Sequence, residues 1–274
     1  MQPRATMPRT LTIAGSDSGG GAGIQADIKT FTAFGTFGMS AVTAITAQNT
    51  LGVVRTRPVA GSLVLAQIAA VRDDIGVDAT KIGMLGSGAV VRAVTRAVRT
   101  GRLGPVVLDP VLASTTGQVL LDPAGLAALA DLLPWVDILT PNLPEAARLL
   151  RCAECDLRTL QARRQACVDL RRMGPRHVVL KGGHVEGADA AVDIWYDGES
   201  WSEMRAPWVS SSQTHGTGCT FSAAVAAGLA QGRPLGEALL GAKAFVSWAI
   251  AHAPGLGHGT GPVQHVGWPG WGGA

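Results

Sequence analysis

The hydrophobic residues of the chain follow two different spacings, and the two spacings alternate along the sequence. Short apolar runs rich in β-branched residues predict strands at 11–14, 37–47, 53–59, 79–84, 105–109, 136–139 and 177–181. Segments with apolar residues three and four positions apart predict helices at 24–34, 62–74, 89–99, 123–133, 142–150, 157–173, 218–230 and 235–253. Strands that alternate with helices over most of the length indicate an α/β fold with a mainly parallel central sheet.

The alternation is interrupted near residue 197. Residues 190–196 and 200–204 flank Asp197-Gly198, a turn sequence that predicts an antiparallel hairpin. A hydrophobic content of 47% in 274 residues suits one large core. The sequence contains neither a linker nor an internal repeat, so we expect a single domain over 1–274, with loose termini at 1–9 and 267–274.

Charge and composition exclude several kinds of partner. The formal net charge is +3 and the arginines are spread without a basic block, so we expect no nucleic-acid partner. No apolar stretch approaches the roughly 20 residues that span a bilayer, and the N-terminus lacks the apolar core of a signal peptide. The four cysteines make no disulfide framework in a chain of this size. We therefore expect a cytoplasmic protein with no membrane partner.

A glycine-rich turn at 213–220, QTHGTGCT, leads into an alanine-rich helix. Free N–H groups at a helix N-terminus, together with the helix dipole, form an anion site, and Gly216 and Gly218 allow a close approach because they have no Cβ. Cys219 falls in the first turn, where positive potential lowers the pKa of a thiol below its usual ~8.5. An anion site beside a proton acceptor suits phosphoryl transfer to an alcohol. The alternative is a buried cysteine at the start of an ordinary helix.

Other motifs suggest different chemistry but lack the necessary context. Residues 21–26, GAGIQA, fit a relaxed dinucleotide-binding pattern, yet no acidic residue ends a second strand about 20 residues later. The absence of a Gly-Lys dipeptide excludes a P-loop. Cys152-x-x-Cys155 has too few nearby ligands for zinc and follows a helix rather than a strand, so both cysteines are expected to be unremarkable.

Seven segments, taken in order, form a pattern that covers nearly the whole chain. They are GSDSGGGAGIQADIK at 15–29, AQNT at 47–50, KIGML at 81–85, LDPV at 108–111, TPNLPEA at 140–146, KGGH at 181–184 and THGTGCT at 214–220. With LGHGTGPVQH at 256–265, this pattern resembles the hydroxymethylpyrimidine/phosphomethylpyrimidine kinases of the ribokinase-like superfamily. The resemblance implies a ribokinase-like three-layer α/β/α sandwich.

The resemblance also implies an activity. Members of this family phosphorylate the hydroxymethyl group of 4-amino-5-hydroxymethyl-2-methylpyrimidine with ATP and Mg²⁺, and then convert the monophosphate to the diphosphate, in thiamine biosynthesis. Related enzymes are commonly homodimers. A pyridoxal or pyridoxine kinase is the first alternative, because that branch shares the fold and the Gly-Thr-Gly-Cys site, and dual activity stays open. A ligand-binding module that has lost turnover is a more distant alternative.

The resemblance carries over to particular residues of the acceptor side. Asp27 and Gln48 would hydrogen-bond the aminopyrimidine, because a carboxylate accepts from an amine and a carboxamide offers both a donor and an acceptor. The other interpretation of Asp27 is a charge that complements the start of its helix. Cys219 would be the general base. The remaining positions are Gly15, Met84 and Val111 at the substrate, and Gly216, Thr217 and Gly218 as donors of the anion hole.

Further positions match the family's nucleotide and metal sites. The resemblance implies that ATP phosphates bind at Asp109, Asn142, Lys181 and Thr217, and that Mg²⁺ binds at Asp109 and Glu145, in part through water. The structural alternative for Glu145 is a first-turn helix charge, and Lys181 has an equally good structural interpretation.

The chain departs from the family at two places. Ser18 stands where the family commonly has proline, in the loop near 16–23 that is expected to close over the substrate. Residues 112–117, LASTTG, lack a lysine that is often present there. If that lysine normally meets the substrate phosphate, the second phosphorylation depends on the uncharged hydroxyls of Thr115 or Thr116.

Overall fold

The computed structural model describes residues 7–114, 117–183 and 190–270. Within these ranges the strands are β1 (Arg9–Asp17), β2 (Phe37–Asn49), β3 (Gly52–Pro58), β4 (Ala79–Ile82), β5 (Val106–Leu108), β6 (Ile138–Leu139), β7 (His177–Leu180), β8 (Ala190–Tyr196) and β9 (Trp201–Pro207). The α-helices are α1 (Gly23–Ala33), α2 (Gly61–Asp74), α3 (Gly88–Val98), α4 (Pro123–Leu132), α5 (Leu143–Leu150), α6 (Leu160–Arg172), α7 (Thr217–Ala230) and α8 (Leu235–Ala251).

The strands form one sheet with the order β3-β2-β1-β4-β5-β6-β7-β8-β9. All neighbouring pairs from β2 through β1 and β4 to β7 are parallel. The edges are antiparallel, with β3 beside β2 at one side and the β8–β9 hairpin at the other. The predicted α/β class, the mainly parallel sheet and the hairpin are confirmed. Strand order reverses between β1 and β4, and ligands of open α/β sheets bind at the carboxyl ends of strands beside such a reversal.

Helices cover both faces of the sheet, which explains why central strands such as β5 and β6 are apolar without interruption. In β5, Val106 and Leu108 face a core that also contains buried residues of α2 to α6. Val107, between them, faces a second core, formed with Phe31 of α1 and Phe245 of α8 together with the small residues of α7. The molecule therefore has the three layers that the resemblance implied.

Residues near both ends of the described chain contact the rest of the molecule. Arg9 begins β1, and its guanidinium lies 2.6 Å from the carboxylate of Asp78. The indole of Trp268 packs against the rings of Phe245 and Trp248, with centroids 5.3 and 5.6 Å apart. Burial of this aromatic surface holds the chain after α8 against the core. The outermost predicted termini, 1–6 and 271–274, lie outside the described residues.

Two element boundaries differ from the prediction for local reasons. The predicted helix at 157–173 is divided into a 3₁₀ turn, Glu154–Leu157, and α6. The hydroxyl of Thr159 accepts from the backbone N–H of Ala162 at 3.1 Å, and this cap starts the later helix. β1 continues past residue 14 to Asp17, with a shift in register beside Gly15.

In the part of the chain that the structure describes, no helix has the length and apolar character needed to cross a bilayer.

Candidate active site

Two adjoining cavities open at the carboxyl ends of the parallel strands. The first lies between the loop at 15–23, the end of β2 and the start of α7. The second lies between β8, the segment after β9, α7 and α8. The residues that line both cavities are Asn142, Lys181, Thr214, Thr217 and Gly218. Any group transferred from one cavity to the other passes these five residues.

The structure brings together the predicted site residues, with a single exception, around the first cavity. Its walls include Gly15, Gln48, Met84, Asp109, Val111, Asn142, Glu145, Lys181, Gly216, Thr217, Gly218 and Cys219. These residues come from seven separate segments of the sequence, and the parallel strand order brings them to one end of the sheet. Thr115 and Thr116, the possible substitutes for the missing lysine, lie outside the described residues, as does His184.

Asp27 is the exception, because it lies below the cavity rather than in its wall. Its side chain and that of Lys81 are completely buried. Both carboxylate oxygens of Asp27 lie 2.8 Å from Lys81 Nζ, and the hydroxyl of Thr12 donates to Oδ2 at 2.6 Å. Asp27 is therefore engaged with β1 and β4 in a buried ion pair, and its predicted contact with the aminopyrimidine stays a prediction. Burial lowers the pKa of Lys81, but Asp27 and the neighbouring Asp109 outweigh it and hold the pKa above its ordinary value.

Asp17 and His215 are site residues that the sequence analysis missed. Both line the first cavity, and His215 Nε2 lies 2.9 Å from Asp17 Oδ2. The backbone N–H groups of Gly19, Gly21 and Ala22 donate to the same carboxylate at 2.8, 3.1 and 2.9 Å. Burial raises the pKa of Asp17, but the hydrogen bonds from His215 and the backbone outweigh it and leave the pKa below its ordinary value. The contact joins two glycine-rich loops that are far apart in the sequence.

Ser18 fastens the first of these loops to the end of β2. Its hydroxyl donates to the backbone oxygen of Gln48 at 2.7 Å and accepts from the backbone N–H of Gln48 at 2.8 Å. A proline at this position has no hydroxyl and forms neither bond. Ser18 thus connects the loop at 17–23 to a residue of the cavity wall through its side chain.

Gly216 sets the start of α7. It has a φ of 85°, in the left-handed region, and a Cβ there would lie 1.8 Å from the backbone oxygen of Gly21. Only glycine fits this conformation and this close approach. At Gly218 a Cβ would lie 3.1 Å from Lys181 Nζ and 3.3 Å from Asp109 Oδ2. The two glycines therefore bring the N-terminus of α7 against both cavities.

Cys219 does not have the low pKa that its helical position suggested. Burial, with smaller contributions from Asp27 and Asp109, raises the pKa of the thiol to about 11, although Lys81 and the backbone N–H of Gly23 act in the opposite direction. The prediction of a lowered pKa is wrong, because it counted the helix dipole and not burial or the two carboxylates beneath the thiol. Cys219 rests as a neutral thiol at neutral pH.

A second lysine–carboxylate pair lies in the wall of the first cavity, and its lysine also lines the second. Lys181 Nζ is 2.7 Å from Asp109 Oδ1, and the two side chains are 15% and 3% exposed. Burial lowers the pKa of Lys181, but Asp109 and Glu145 outweigh it and raise the pKa above its ordinary value. Glu145 lies beside this pair, where burial raises its pKa to about 7, with Asp109 adding to the shift and Lys181 opposing it.

Glu145 and Asn142 are held by the start of α5. The Glu145 carboxylate accepts from the backbone N–H of Asn142 at 2.9 Å, and the Asn142 side chain accepts from the N–H of Glu145 at 2.8 Å. This capping box fixes both side chains at the cavity wall. In the described ranges no three His, Cys, Asp or Glu side chains form a metal cluster. Asp109 and Glu145 alone fit an Mg²⁺ that takes most of its ligands from phosphate and water.

The second cavity combines apolar walls with a few fixed polar groups. Phe221, Val246 and Ile250 contribute apolar surface. At one side, Lys243 Nζ lies 2.7 Å from Asp193 Oδ2, and the backbone N–H of Gly182 donates to Asp193 Oδ1 at 2.9 Å. Such a cavity suits a flat heteroaromatic group.

Comparison with known proteins agrees with this geometry. A sequence model described as phosphomethylpyrimidine kinase matches residues 17–264. The chain is 43% identical to the hydroxymethylpyrimidine/phosphomethylpyrimidine kinase of Haemophilus influenzae, over 95% of this chain and 97% of that protein. It is 46% identical to a thiamine biosynthesis bifunctional protein of Geobacter sulfurreducens, over 96% of this chain and 54% of that protein, so it spans about half of that relative.

A solved structure gives the same result for the fold. The ADP complex of Bacillus subtilis pyridoxal kinase superposes with a TM-score of 0.86 at 38% identity, over 95% of this chain and 98% of that chain. The three-layer sandwich is thus the ribokinase-like fold of small-molecule kinases. Within that class, the chain belongs to the phosphomethylpyrimidine kinase family.

Proposed function

We propose that this protein is an ATP-dependent kinase of thiamine biosynthesis. It phosphorylates 4-amino-5-hydroxymethyl-2-methylpyrimidine and then converts the monophosphate to the diphosphate. The observation that carries the proposal is the meeting of two cavities at Asn142, Lys181, Thr217 and Gly218, beside Cys219. Membership of the phosphomethylpyrimidine kinase family supports the choice of substrate.

The first cavity takes the pyrimidine in this proposal. Gln48 offers a donor and an acceptor to the aminopyrimidine edge, as expected from the sequence. Met84 and Val111 supply apolar surface for the ring and its methyl group, and the bulged strand at Gly15 leaves room beside Met84, since a Cβ there would lie 2.8 Å from Met84 Cε. The hydroxymethyl group then faces the start of α7.

The second cavity takes the nucleotide. Its apolar walls suit the adenine ring, and the triphosphate extends toward Asn142, Lys181 and the N-terminus of α7. Lys181 is positioned for phosphate because it lines both cavities. Asp109 and Glu145 would hold Mg²⁺, in part through water, and the bound ion would neutralise charge on the phosphates.

The reaction transfers one phosphoryl group between the cavities. The hydroxyl oxygen of the pyrimidine forms a bond to the γ-phosphorus, the bond from the γ-phosphorus to the bridging oxygen breaks, and ADP leaves with that electron pair. The N–H groups of Gly216, Thr217 and Gly218 stabilise the charge that develops on the transferred group. The hydroxyl proton goes to Cys219 in its thiolate form, which Lys81 and the Gly23 N–H stabilise.

The role of Cys219 has a test in the pH dependence of turnover. Since the thiol has a pKa of about 11, the thiolate fraction grows about tenfold per pH unit between pH 7 and 9, and kcat rises with it. Cys219→Ala keeps the fold and MgATP binding, lowers kcat by about 100-fold or more and removes this rise. The measurement is kcat against pH, beside ATP binding by calorimetry. A variant with the slope and turnover of the wild type excludes Cys219 as the base.

Pyridoxal kinase is the second candidate function, because a pyridoxal kinase superposes closely on this chain. The deciding experiment measures product mass after incubation with MgATP and, separately, hydroxymethylpyrimidine, its monophosphate or pyridoxal. The proposal predicts mono- and diphosphate from the pyrimidine and little pyridoxal phosphate. Rapid formation of pyridoxal phosphate without pyrimidine diphosphate would contradict the proposal and indicate a kinase of vitamin B6 salvage instead. A product from the hydroxymethylpyrimidine but none from the monophosphate would remove the second step only.

We also propose that the enzyme acts in the cytoplasm as a homodimer. Exposed apolar side chains along β2 and the turn into β3 support the dimer, since Ile45, Leu51 and Val54 are 59%, 66% and 80% exposed. Sedimentation velocity measures the mass directly, and a monomer at micromolar concentration would exclude this part of the proposal.

A further inference from the structure

A connected set of hydrogen bonds lies between the two glycine-rich loops and the end of β2. Its members are Asp17, His215, Gln48, Thr46 and Ser16. Gln48 Nε2 lies 3.2 Å from His215 Nε2, and Gln48 Oε1 lies 3.3 Å from Thr46 Oγ1. Each contact needs one donor and one acceptor, so the hydrogens of the whole set can be assigned from its two ends.

The Asp17 end fixes the hydrogen on His215. Three backbone N–H groups, of Gly19, Gly21 and Ala22, donate to the Asp17 carboxylate, which keeps it ionised and able only to accept. His215 Nε2, 2.9 Å from Oδ2, therefore carries a hydrogen whether the ring is neutral or charged. A nitrogen that donates to Asp17 has no lone pair left to accept from the Gln48 amide.

The Thr46 end fixes the other side of Gln48. The Thr46 hydroxyl donates to the backbone oxygen of Ser16 at 2.8 Å, which is shorter than its 3.3 Å contact with Gln48. Its hydrogen is thus committed, and toward Gln48 it offers a lone pair. The two ends of a carboxamide have the same shape, and only hydrogen bonds decide which is the oxygen. Both neighbours favour the oxygen of Gln48 toward His215 and the NH₂ group toward Thr46.

We infer that Asp17 and His215 are positioning residues that set the substrate specificity of the first cavity by holding Gln48 in this single orientation. The inference rests on the proposed function, in which Gln48 binds the pyrimidine. One N–H and one lone pair of the carboxamide stay free for the substrate. The lone pair on the His215 side accepts from an exocyclic amine, and the N–H on the Thr46 side donates to the adjacent ring nitrogen. The 4-aminopyrimidine edge has this pattern of donor and acceptor.

A substrate with the reversed pattern meets unpaired groups at the same edge. The 4-oxo analogue of the hydroxymethylpyrimidine places a carbonyl where the amine was and an N–H where the ring nitrogen was. If Gln48 keeps this orientation, its carbonyl oxygen faces the carbonyl oxygen of the analogue and its N–H faces the ring N–H of the analogue. Buried polar groups left unpaired reduce kcat/KM strongly, and we expect the wild type to prefer the amine by at least about 100-fold.

The test compares this preference in three variants. His215→Leu removes the protonated ring nitrogen that keeps the NH₂ group of Gln48 away, so the carboxamide can turn to match either substrate. The ratio of kcat/KM for the amine to kcat/KM for the oxo analogue then falls about tenfold or more, chiefly because the two KM values converge. His215→Gln keeps an N–H for Asp17 and retains most of the ratio. Lys29→Met is the control, because Lys29 Nζ donates to Gly20 O of the same loop at 2.8 Å without contacting Gln48. We expect the ratio of the two kcat/KM values in this variant to match that of the wild type.

The outcomes separate this inference from the proposed function. If His215→Leu still phosphorylates the amine and the ratio of the two kcat/KM values is unchanged, the inference is wrong and the proposed function is unaffected. Failure of the wild type to phosphorylate the pyrimidine overturns the function. In that case the ¹⁵N NMR spectrum of the His215 ring still decides the assignment without any substrate. The inference is supported if the spectrum shows a hydrogen on Nε2 and if the resonance of that nitrogen changes its position in Asp17→Asn. A ring protonated only on Nδ1 excludes the inference.

Discussion

Two lysine–carboxylate pairs of this kinase have nearly the same geometry and different surroundings. Lys81 in β4 lies 2.8 Å from Asp27, and Lys181 directly after β7 lies 2.7 Å from Asp109. The first pair is completely buried, whereas Lys181 and Asp109 are 15% and 3% exposed. Beneath the cavity floor, the first pair has Thr12 as its remaining partner. The second pair lines the first cavity beside Glu145, and its Lys181 also lines the second cavity.

The difference shows that the surroundings of an ion pair, more than its distance, decide what the pair can do. A pair with no access to water or ligand cannot exchange partners, so removal of one member leaves a buried charge unpaired. A pair at a cavity wall can turn its cation toward a phosphate. We therefore assign Lys81–Asp27 to the stability of the folded state and propose that Lys181–Asp109 serves the reaction.

The largest effect is expected from Asp27→Asn. Asparagine keeps the shape but removes the charge, and Lys81 remains as an unpaired buried cation. The free energy of unfolding falls by about 3–5 kcal/mol, the cost of breaking a buried pair. Urea denaturation followed by circular dichroism measures it. The double variant Asp27→Asn with Lys81→Met removes both charges and recovers most of the loss. A single variant within about 1 kcal/mol of the wild type would show that the pair does not stabilise the fold.

Lys181→Met is expected to reduce catalysis more than stability, whereas Asp27→Asn mainly reduces stability. The loss of a cation at the transferred phosphate lowers kcat/KM for ATP by about 100-fold, or about 2.7 kcal/mol in the barrier. Stability falls by less than in Asp27→Asn, because water in the cavity reaches Asp109. Steady-state kinetics and urea denaturation on one preparation provide both numbers, with Lys181→Arg as the charge-conserving control. Equal destabilisation by Lys181→Met and Asp27→Asn would remove the distinction between the pairs.

The smallest effect concerns Glu145, whose pKa is raised from 4.5 to about 7 mainly by burial. The folded state binds this proton more tightly than the unfolded state, so the wild type loses stability as pH rises from about 4.5 to 7 and regains none above. Glu145→Gln does not titrate and keeps an oxygen for the Asn142 N–H. Without nucleotide, the Tm of Glu145→Gln relative to the Tm of the wild type therefore increases by a few degrees between pH 5 and pH 8. A Tm difference independent of pH would contradict this account.

Much of the fold was predictable because the central strands are buried on both faces. Runs such as Val106-Val-Leu108 are apolar without interruption, and they alternate with helices, which is sufficient for a parallel α/β sheet. Most of the candidate site was predictable for a related reason. Glycine-rich turns and polar residues at strand ends mark the edge of a parallel sheet where ligands bind. The resemblance to the kinase family then named the same positions.

The burial of Asp27 beside Lys81 was not predicted, although the position of Asp27 contains a usable signal. Asp27 lies three residues after Ile24 and four before Phe31, so it belongs to the apolar face of α1 that packs on the sheet. Lys81 similarly falls within an apolar strand. A carboxylate on a buried helix face and an ammonium in a buried strand each require a partner, and pairing them satisfies both.

The contact between Asp17 and His215 had no comparable signal. The two residues are 198 positions apart, and neither the glycine-rich loop nor the turn before α7 indicates that they meet. The pKa of Cys219 was mispredicted for the same reason. Asp27 and Asp109, which oppose the thiolate, lie far from Cys219 in the sequence and come together only through the sheet order.

The Ser18 bonds to Gln48 also bear on how loop order varies with temperature. A proline, common in the family at this position, restricts the backbone in the open and closed loop alike, and its contribution is entropic. The serine hydroxyl orders the loop only while its two hydrogen bonds persist, so its contribution is enthalpic. Warming favours the state with more conformational freedom. We therefore expect the order of the loop at 17–23 to fall more steeply with temperature in this protein than in a Ser18→Pro variant.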